Sequence, residues 1–527
     1  MNRRKNIILF MADQLRADHL GCYGNPMVRT PSIDSLAHRG TRLDRFYVAS
    51  PVCMPNRATI FTGRLPSVHG VRRNGIPLSM LERTFVHQLR DSGYRTALIG
   101  KAHFQPHGVF QRPDDIAKVT EAREVPGSPE RYMEEDMTVW REDPGHRVPD
   151  PFYGFDHTEL CLYHGDLVGG DYARWLHEKD SQLERERGRE HALPDARYAN
   201  REAWRTLIPA ELYPSAFIAE RTIAWIDAHM REHGDEPFFL VCSFPDPHHP
   251  FTPPGRYWDM YDPEQVELPS TFHERSSYPP IEFIHEVTRR GGKLPGHHHP
   301  FAPQEREARE AIALTYGMIS NVDDSIGKVL AAVEGTPLAA STTMAFTSDH
   351  GDLMGDHGAF LKGPLHFQGL IRVPFIWADP SHPSPANSDA VCGSIDIART
   401  VLSHTGTESY NGIQGLDLTP LLAAGTSVPR PRGDDERGIQ IESETAQLAL
   451  GRPAPYKLRS LVTARWRITY STDPGLCEIY DLQEDPRELH NVWNDPAYAT
   501  QRTTLMERLL DEMLRSAEQS PLPISSG

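Results

Sequence analysis

The sequence predicts an α/β protein: a large, mostly parallel sheet flanked by helices, followed by a smaller C-terminal α+β subdomain. Two observations carry this prediction. Several short runs are apolar without interruption, which is typical of parallel strands that are covered on both faces. Stretches with apolar residues at three- and four-residue steps lie between these runs, and such alternation of strands and helices favours a parallel sheet.

Five apolar runs are the expected strands of the large sheet. The first covers residues 6–12, and the next two cover 96–100 and 238–244. The last two cover 343–347 and 373–377. All five have the same character, so we expect them to lie side by side in one sheet.

Helices are predicted over 217–230 and 311–330, where apolar residues recur with helical spacing. The last part of the chain reads differently. Residues 460–470 alternate like a half-exposed strand, and an Asp-Pro-Gly turn leads into a second strand over 477–482, which predicts a hairpin. A closing helix over 505–514 completes this antiparallel subdomain.

These patterns divide the chain into a main domain over 1–423 and a C-terminal subdomain over 439–520. A polar stretch rich in Pro, Gly and charged residues lies between them. Insertions at about 105–235 and 252–305 interrupt the main domain. They are rich in Pro, Arg, Glu and aromatic residues, and we expect them to build walls over the sheet edge.

Composition excludes several classes of partner. The 527 residues carry a formal charge of −17, which argues against a nonspecific nucleic-acid binder. Six scattered cysteines without zinc or Cys-x-x-Cys spacing predict reduced thiols and a cytoplasmic location. The first apolar run is short for a signal peptide, and Asp13 and Arg16 follow it at once, so a buried strand is favoured. No apolar run reaches the roughly 18–20 residues that a membrane span needs.

Charged or metal-ligating side chains follow four of the predicted strands. They are Asp13, Lys101, His103, His248, Asp349 and His350. The carboxyl ends of parallel strands meet at one edge of a sheet, and open parallel sheets bind ligands at that edge. The sequence therefore predicts that distant segments converge on one functional site.

A proline-broken segment over 50–63 leads into a predicted helix. Pro55 fits the first turn, because its fixed φ and missing N–H are tolerated there. Cys53 then lies just ahead of a helix N-terminus, where unpaired N–H groups favour an anion. Arg57 lies one turn further on. This stretch suits a site for an oxyanion, and the alternative is a buried structural cysteine at a loop–helix junction.

Two residue pairs indicate a cation site. Asp13 with Gln14, and Asp349 with His350, together offer carboxylate and amide oxygens and one imidazole. A hard divalent ion prefers oxygen ligands, and one imidazole is compatible with Mn²⁺ as well as Ca²⁺. For a single Asp at a strand end, the alternative is a helix cap.

Several motifs then carry a resemblance. Residues 53–57 read Cys-Met-Pro-Asn-Arg, residues 100–103 read Gly-Lys-Ala-His, and residues 247–250 read Pro-His-His-Pro. Residues 348–351 read Ser-Asp-His-Gly, and a Gly-Asp-His-Gly block, Lys362 and Arg-Val-Pro follow. This set resembles the type I sulfatases of the alkaline phosphatase superfamily, near the phosphonate monoester hydrolase branch. The resemblance implies an alkaline phosphatase-like fold and hydrolysis of a sulfate monoester to an alcohol and inorganic sulfate.

In that family the cysteine is oxidised after synthesis to formylglycine, whose hydrate is the nucleophile. The resemblance implies this fate for Cys53, with a formylglycine-generating enzyme as a partner and a small sulfate ester as substrate. It also implies one divalent cation, Ca²⁺ or Mn²⁺. The implied ligands are Asp13, Gln14, Asp349, His350 and the oxygen of modified Cys53.

Further roles follow from the same resemblance. Arg57 would hold the formylglycine hydrate, and Lys101, His248 and Lys362 would contact sulfate oxygens. His103 would be the base that takes a proton from the sulfated diol and so ejects sulfate. His248 is chosen over His249 because it directly follows the proline, as in the family motif.

Two departures define the alternatives. Gln14 stands where many sulfatases have a second Asp, which removes one negative charge and favours Mn²⁺, as in phosphonate monoester hydrolases. A phosphonate monoesterase or phosphodiesterase is therefore the first alternative, although Lys101 and His103, which that subfamily usually replaces, favour sulfate esters. A metal-binding pseudoenzyme is the second. The alcohol (aryl, choline, alkyl or sugar) and the oligomeric state, a homo-oligomer included, stay open.

Overall fold

The computed structural model describes residues 4–108, 132–143, 145–234, 236–274, 276–291, 300–382, 386–424, 437–445, 450–452 and 455–525. Its two sheets contain thirteen strands within these ranges. The large sheet is formed by β1 (Asn6–Ala12), β2 (Thr41–Tyr47), β3 (Arg95–Gly100), β4 (His157–Leu162), β5 (Gly169–Gly170), β6 (Phe238–Ser243), β7 (Thr342–Ser348), β8 (Phe375–Ala378) and β9 (Ala386–Gly393). The small sheet is formed by β10 (Ile439–Thr445), β11 (Tyr456–Val462), β12 (Trp466–Ser471) and β13 (Glu478–Asp481).

The helices flank these sheets. They are α1 (Pro31–His38), α2 (Cys53–Thr62), α3 (Pro66–His69), α4 (Phe85–Asp91), α5 (Met137–Glu142), α6 (Asp171–Lys179), α7 (Ser181–Arg185), α8 (Pro214–Glu232), α9 (Pro279–Arg289), α10 (Glu305–Glu334), α11 (Gln368–Ile371), α12 (Ile397–Thr405), α13 (Thr419–Ala424) and α14 (Ala499–Arg515). Among the described residues, no helix is both long enough and apolar enough to cross a bilayer.

The large sheet has the strand order β5-β4-β3-β6-β1-β7-β8-β2-β9. Strands β4, β3, β6, β1 and β7 are parallel neighbours, and β2 pairs in parallel with β9. The predicted fold class, a large and mostly parallel sheet with a smaller antiparallel one, is therefore confirmed. β1 lies in the middle, which explains why its seven residues are all buried.

Alternate residues of β1 enter two different apolar cores. Ile7, Leu9 and Met11 belong to one core, which α2, α4 and α12 cover. Ile8 and Phe10 belong to the other, which α8 and α10 cover. Because both faces of the strand are buried, every position favours an apolar residue, and this is the origin of the uninterrupted run in the sequence.

Three details differ from the predictions. β8 was expected to resemble the other strands, but it runs antiparallel to β7 and β2. The stretch 460–470, expected to be one strand, is split between β11 and β12, which pair in antiparallel fashion. The stretch 105–235, expected to be an irregular insertion, contributes β4 and β5 to the edge of the large sheet wherever it is described.

The small sheet joins the two parts of the molecule. One face, with Ile441, Leu458 and Tyr480, packs into the same core as α2 and α4. The other face, with Ile468 and Ile479, packs against α14. The C-terminal subdomain is therefore attached to the main sheet by a continuous apolar contact.

Candidate active site

The carboxyl edge of the large sheet collects the predicted residues. Asp13 directly follows β1, Lys101 directly follows β3 and Asp349 directly follows β7. Backbone bonds fix these ends, because Asp349 N donates to the Ala12 carbonyl (3.2 Å) and Lys101 N donates to the Ser243 carbonyl (2.9 Å). The strand ends therefore deliver their side chains to one place, as the sequence predicted.

Helix α2 presents the motif cysteine to this edge. The helix begins at Cys53 itself, with Val52 as N-cap, so the cysteine belongs to the first turn rather than preceding it. Asn56 Nδ2 donates to the Asp349 carbonyl (2.6 Å), and Arg57 Nε donates to Asp349 Oδ2 (2.7 Å). The same helix that carries Cys53 is thus bonded to the end of β7.

Two glycines allow this close approach. Gly100 has φ +114°, and a Cβ there would lie 1.9 Å from the Ser243 carbonyl oxygen. A Cβ on Gly351 would lie 1.9 Å from the Gly369 carbonyl oxygen. Any side chain at either position would push the backbone apart, which explains the glycines beside Lys101 and His350 in the two motifs.

Four side chains form a set that fits a divalent cation. One ligand atom each from Asp13, Cys53, Asp349 and His350 lies within 4.8 Å of the others, and all four residues are buried. Two carboxylates with an imidazole and the side chain of residue 53 are donors that a divalent ion accepts. Gln14, the fifth predicted ligand, directs its Oε1 to Lys362 Nζ (2.9 Å) and its Nε2 to Asp352 Oδ2 (2.5 Å).

Lys362 is the cation at the centre of the site. Its Nζ lies 3.0 Å from Cys53 Sγ and 2.9 Å from each of His248 Nε2 and His350 Nε2. Among the described residues, no carboxylate lies within ion-pair distance of this ammonium, whereas Lys101 pairs with Asp13 and Arg57 pairs with Asp349. The positive charge of Lys362 is therefore available to an anion.

Burial and neighbouring charges alter the acid–base properties of the site. Burial opposes ionisation of Asp13, but Lys101, His248 and His164 together outweigh it and hold the pKa of this carboxyl well below its usual value. Burial also opposes ionisation of Cys53, yet Lys362 and His350 outweigh it and lower the thiol pKa to about 7. The site thus favours negative charge at residue 53.

His103 lies on a strained loop at the rim of the site. Its φ is +58°, and its ring stacks on His107 with centroids 4.0 Å apart. Burial, with His107 and Lys101 nearby, lowers the pKa of His103 well below its usual value, so the ring is neutral and able to accept a proton. The carboxylate of Glu135 accepts hydrogen bonds from the backbone N–H of His103 (2.6 Å), Phe104 (2.7 Å) and Gln105 (2.9 Å).

Both candidate histidines of the Pro-His-His-Pro motif lie at the site. His248 faces Lys362, whereas His249 Nδ1 lies 3.4 Å from Gln14 Nε2. His164, which the sequence analysis missed, stacks on His248 and contacts Lys101. Its signal was the same strand-end rule, because His164 comes two residues after β4. Glu135 had no comparable signal.

A helix N-terminus that faces cation ligands and lysines across the carboxyl edge of a parallel sheet is characteristic of alkaline phosphatase-like hydrolases. The comparisons are more specific. The sulfatase family model matches residues 5–407, and the chain belongs to the sulfatase family.

Similar proteins include several activities. The chain is 26% identical to an arylsulfatase of Clostridium perfringens, over 98% of this chain and 95% of that protein. It is 26% identical to a multifunctional alkaline phosphatase superfamily protein of Trinickia caryophylli, over 98% and 96%. The crystal structure of the phosphonate monoester hydrolase of Agrobacterium radiobacter has a TM-score of 0.75 and 25% identity, covering 98% of this chain and 97% of that one.

Proposed function

We propose that the protein hydrolyses a sulfate monoester to an alcohol and inorganic sulfate, with residue 53 as a formylglycine nucleophile. One observation carries the proposal. The side chain of residue 53 lies at a helix N-terminus, 3.0 Å from both Lys362 Nζ and His350 Nε2, within the cation-binding set. Such a position places the nucleophile beside the Lys362 ammonium and the cation-binding set, both of which favour an anionic ester.

The cation would be held by Asp13, Asp349, His350 and the side chain of residue 53, with Gln14 beside them. When bound, it would withdraw charge from the ester and help ionise the nucleophile. Whether the site takes Ca²⁺ or Mn²⁺ depends on Gln14, because its neutral amide replaces a carboxylate and so weakens the preference for a hard ion.

The protein's own side chains would perform the remaining steps. Arg57 holds Asp349 in place, and its buried Nη2, which has no hydrogen-bond partner among the described residues, is available to residue 53 or the substrate. Lys101, His248 and Lys362 would bind the sulfate oxygens and offset charge on the leaving alcohol. His103, kept neutral, would accept the proton that is released when sulfate leaves.

A phosphonate monoester or phosphodiester is the second candidate substrate. Gln14 and the similarity to a phosphonate monoester hydrolase favour it. Lys101, which reaches Asp13 at the site, and His103 favour sulfate. Because we expect the insertions at 105–235 and 252–305 to build the walls of the site, we assign the alcohol only to the range of aryl, choline, alkyl and sugar groups.

The proposal is tested on protein produced together with a formylglycine-generating enzyme. Mass spectrometry of the tryptic peptide 46–57 should show conversion of Cys53, and unmodified cysteine alone would contradict the mechanism. Values of kcat/KM for an aryl sulfate, choline sulfate, a sugar sulfate, a phosphonate monoester and a phosphodiester then rank the substrates. The highest value for a phosphorus ester would replace the sulfatase assignment by the second candidate.

Metal dependence is a separate test. Dialysis against a chelator should abolish activity and lower the melting temperature, because a ligand that binds only the folded state stabilises it. Return of Ca²⁺ and of Mn²⁺, each alone, identifies the ion by recovery of both properties. We also propose a cytoplasmic location, which the six free thiols support, and leave the oligomeric state to light scattering.

A further inference from the structure

His164 links the two lysines of the site. It follows β4 at the same sheet edge as Asp13 and Lys101, and only 4% of it is exposed. Its Nε2 lies 2.7 Å from Lys101 Nζ and 3.3 Å from Asp13 Oδ2. An ammonium can only donate and a carboxylate can only accept, so Nε2 accepts from Lys101 in one tautomer and donates to Asp13 in the other. In both tautomers the ring contacts Lys101 and Asp13 at once, which fixes its position.

Hydrogen-bond partners define the protonation of His248, the ring that stacks on His164. His248 Nδ1 lies 2.6 Å from the His249 carbonyl oxygen, which can only accept, so Nδ1 carries the proton. His248 Nε2 then accepts from Lys362 Nζ at 2.9 Å. The rings of His164 and His248 are parallel within 5°, with centroids 3.5 Å apart. Such close, parallel stacking ties the position of one ring to that of the other.

The two histidines do not form a second cation site, although their ligand atoms and that of Asp13 lie within 4.8 Å of one another. The lone pair of an imidazole nitrogen lies in the plane of its ring. In parallel, stacked rings these lone pairs run side by side and do not converge on a common ion. The Nε2 atom of each ring lies within hydrogen-bond distance of a lysine, so the pair is placed to hold ammonium groups.

We infer that His164 is a positioning residue that fixes the positions of Lys101 and His248 for the reaction. Through the contacts along the row Lys101–His164–His248–Lys362, it determines where the two ammonium groups of the site lie. This inference rests on the proposed function. Lys101 Nζ contacts both Asp13 and His164. Without His164, Lys101 would pair with Asp13 alone, and the ring of His248 would lose the surface that fixes its plane.

The expected effect is on the chemical step rather than on binding. Misplacement of a catalytic group by about 1 Å can cost on the order of 100-fold in rate. His164→Ala should therefore lower kcat by about 10- to 100-fold and change KM by less than about threefold. His164→Gln keeps an acceptor for Lys101, and His164→Phe keeps a stacking surface. Each should recover part of the loss, which separates the two contributions.

The control is His157→Gln at the start of the same strand. His157 is partly exposed and bonds only Glu159 among the described residues, so its replacement should leave kcat unchanged. Melting temperatures of all variants show whether a buried substitution has disturbed the fold. If His164→Ala does not fold, the Gln and Phe variants carry the test.

A double-mutant cycle with Lys101→Ala decides the role. If His164 acts through Lys101, the loss caused by His164→Ala should nearly vanish in the Lys101→Ala background. The inference would be overturned if the loss of kcat in the double variant equalled the product of the two single losses. It would also be overturned if folded His164 variants had a kcat within about threefold of wild type. A wild-type enzyme that cleaves no sulfate ester would instead overturn the proposed function, on which the inference rests.

Discussion

Two groups of buried charges differ in how completely their hydrogen bonds are made. The strand-edge cluster comprises Asp13, Cys53, Arg57, Lys101, Asp349 and Lys362. The interdomain cluster comprises Arg467, Glu478 and Glu488 on the small sheet and the turn after it. Side chains in both are almost fully buried, and burying a charge is costly unless it is paired. The two clusters meet that cost in different ways.

The interdomain cluster is saturated. All three nitrogens of the Arg467 guanidinium donate, to Glu488, Thr469 and Glu478. Glu488 also accepts from the backbone N–H of Gln368 at 2.7 Å, which joins the small sheet to the segment that follows Lys362. A network of this kind fixes one arrangement of its members.

The strand-edge cluster is not saturated. Arg57 Nη2 is buried without a partner among the described residues. Lys362 contacts Cys53, Gln14 and two histidines, but none of its partners in the described part of the chain is a carboxylate. The ammonium of Lys362 lies 3.0 Å from Cys53 Sγ. The comparison indicates that buried charges stabilise the fold where they are paired with opposite charges. Where a buried cation lacks such a partner, it is available to bind a ligand.

The largest expected effect comes from Cys53→Ala in the strand-edge cluster. Loss of the nucleophile should lower kcat/KM for a sulfate ester by at least about 1,000-fold. The free energy of unfolding should change by less than about 1 kcal/mol, because no buried charge loses its only partner. Cys242→Ala, a buried thiol in β6, is the matched control and should retain activity. Undiminished hydrolysis by Cys53→Ala would remove residue 53 from the chemistry.

Arg467→Met should show the opposite pattern in the interdomain cluster. Glu478 and Glu488 would lie buried without a counter-charge, so the free energy of unfolding should fall by about 3–5 kcal/mol. The activity per folded molecule should stay within about threefold of wild type. Arg465→Met, whose side chain is 46% exposed and pairs with Asp481, should leave the midpoint of the same denaturant titration nearly unchanged. Equal losses for the two variants would contradict the distinction.

Glu135→Gln is expected to have a smaller effect, on the loop that carries His103. The carboxylate accepts three backbone hydrogen bonds, and charge-assisted bonds contribute about 1.5–3 kcal/mol each. An amide turns a donor toward some of these N–H groups, so kcat should fall by about 10-fold with little change in KM. Glu134→Gln, the partly exposed neighbour that pairs with His146, is the control. Identical kinetics for the two variants would separate Glu135 from His103.

The smallest effect concerns pH and the interdomain contact. His366 bonds Ser460 Oγ (2.6 Å) and Ser443 Oγ (2.8 Å) on the small sheet, and burial lowers its pKa well below 6.5. Between that value and 6.5 the unfolded chain binds more protons, so stability falls as the pH decreases below 6.5. From pH 7.5 to 5.5 this group should remove about 1.4 kcal/mol. His366→Gln should lack that share of the slope, and an unchanged slope would show that the imidazole does not contribute it.

Much of the fold and several of the site residues could be predicted, because a strand that is buried on both faces is an uninterrupted apolar run in the sequence. The apolar run of β1 ends at Asp13, and the run of β7 ends just before Asp349. The direction of β8 could not be predicted, because an apolar run is the same in either direction.

The turn between β11 and β12 was missed because it contains no Gly, Pro or Asn. There the Thr463 hydroxyl accepts from the N–H of Arg465 (3.3 Å) and Trp466 (2.9 Å).

His164 and Glu135 were missed for a different reason. β4 reads His-Thr-Glu-Leu-Cys-Leu, and its first half is polar because it lies near the sheet edge, so no apolar run identifies it. Glu135 acts on backbone N–H groups about thirty residues earlier, which have no side-chain signature at all. Only the folded arrangement brings these residues to the lysines and the loop that they serve.

The location of His164 and Glu135 has a consequence for protein engineering. Both come from the stretch 105–235, which also holds the expected substrate walls. Chimeras that exchange this stretch between relatives would therefore replace His164 and Glu135 together with the residues expected to contact the substrate. A graft intended only to alter substrate choice must therefore retain these two side chains from the recipient, or bring their Lys101 and His103 counterparts with them.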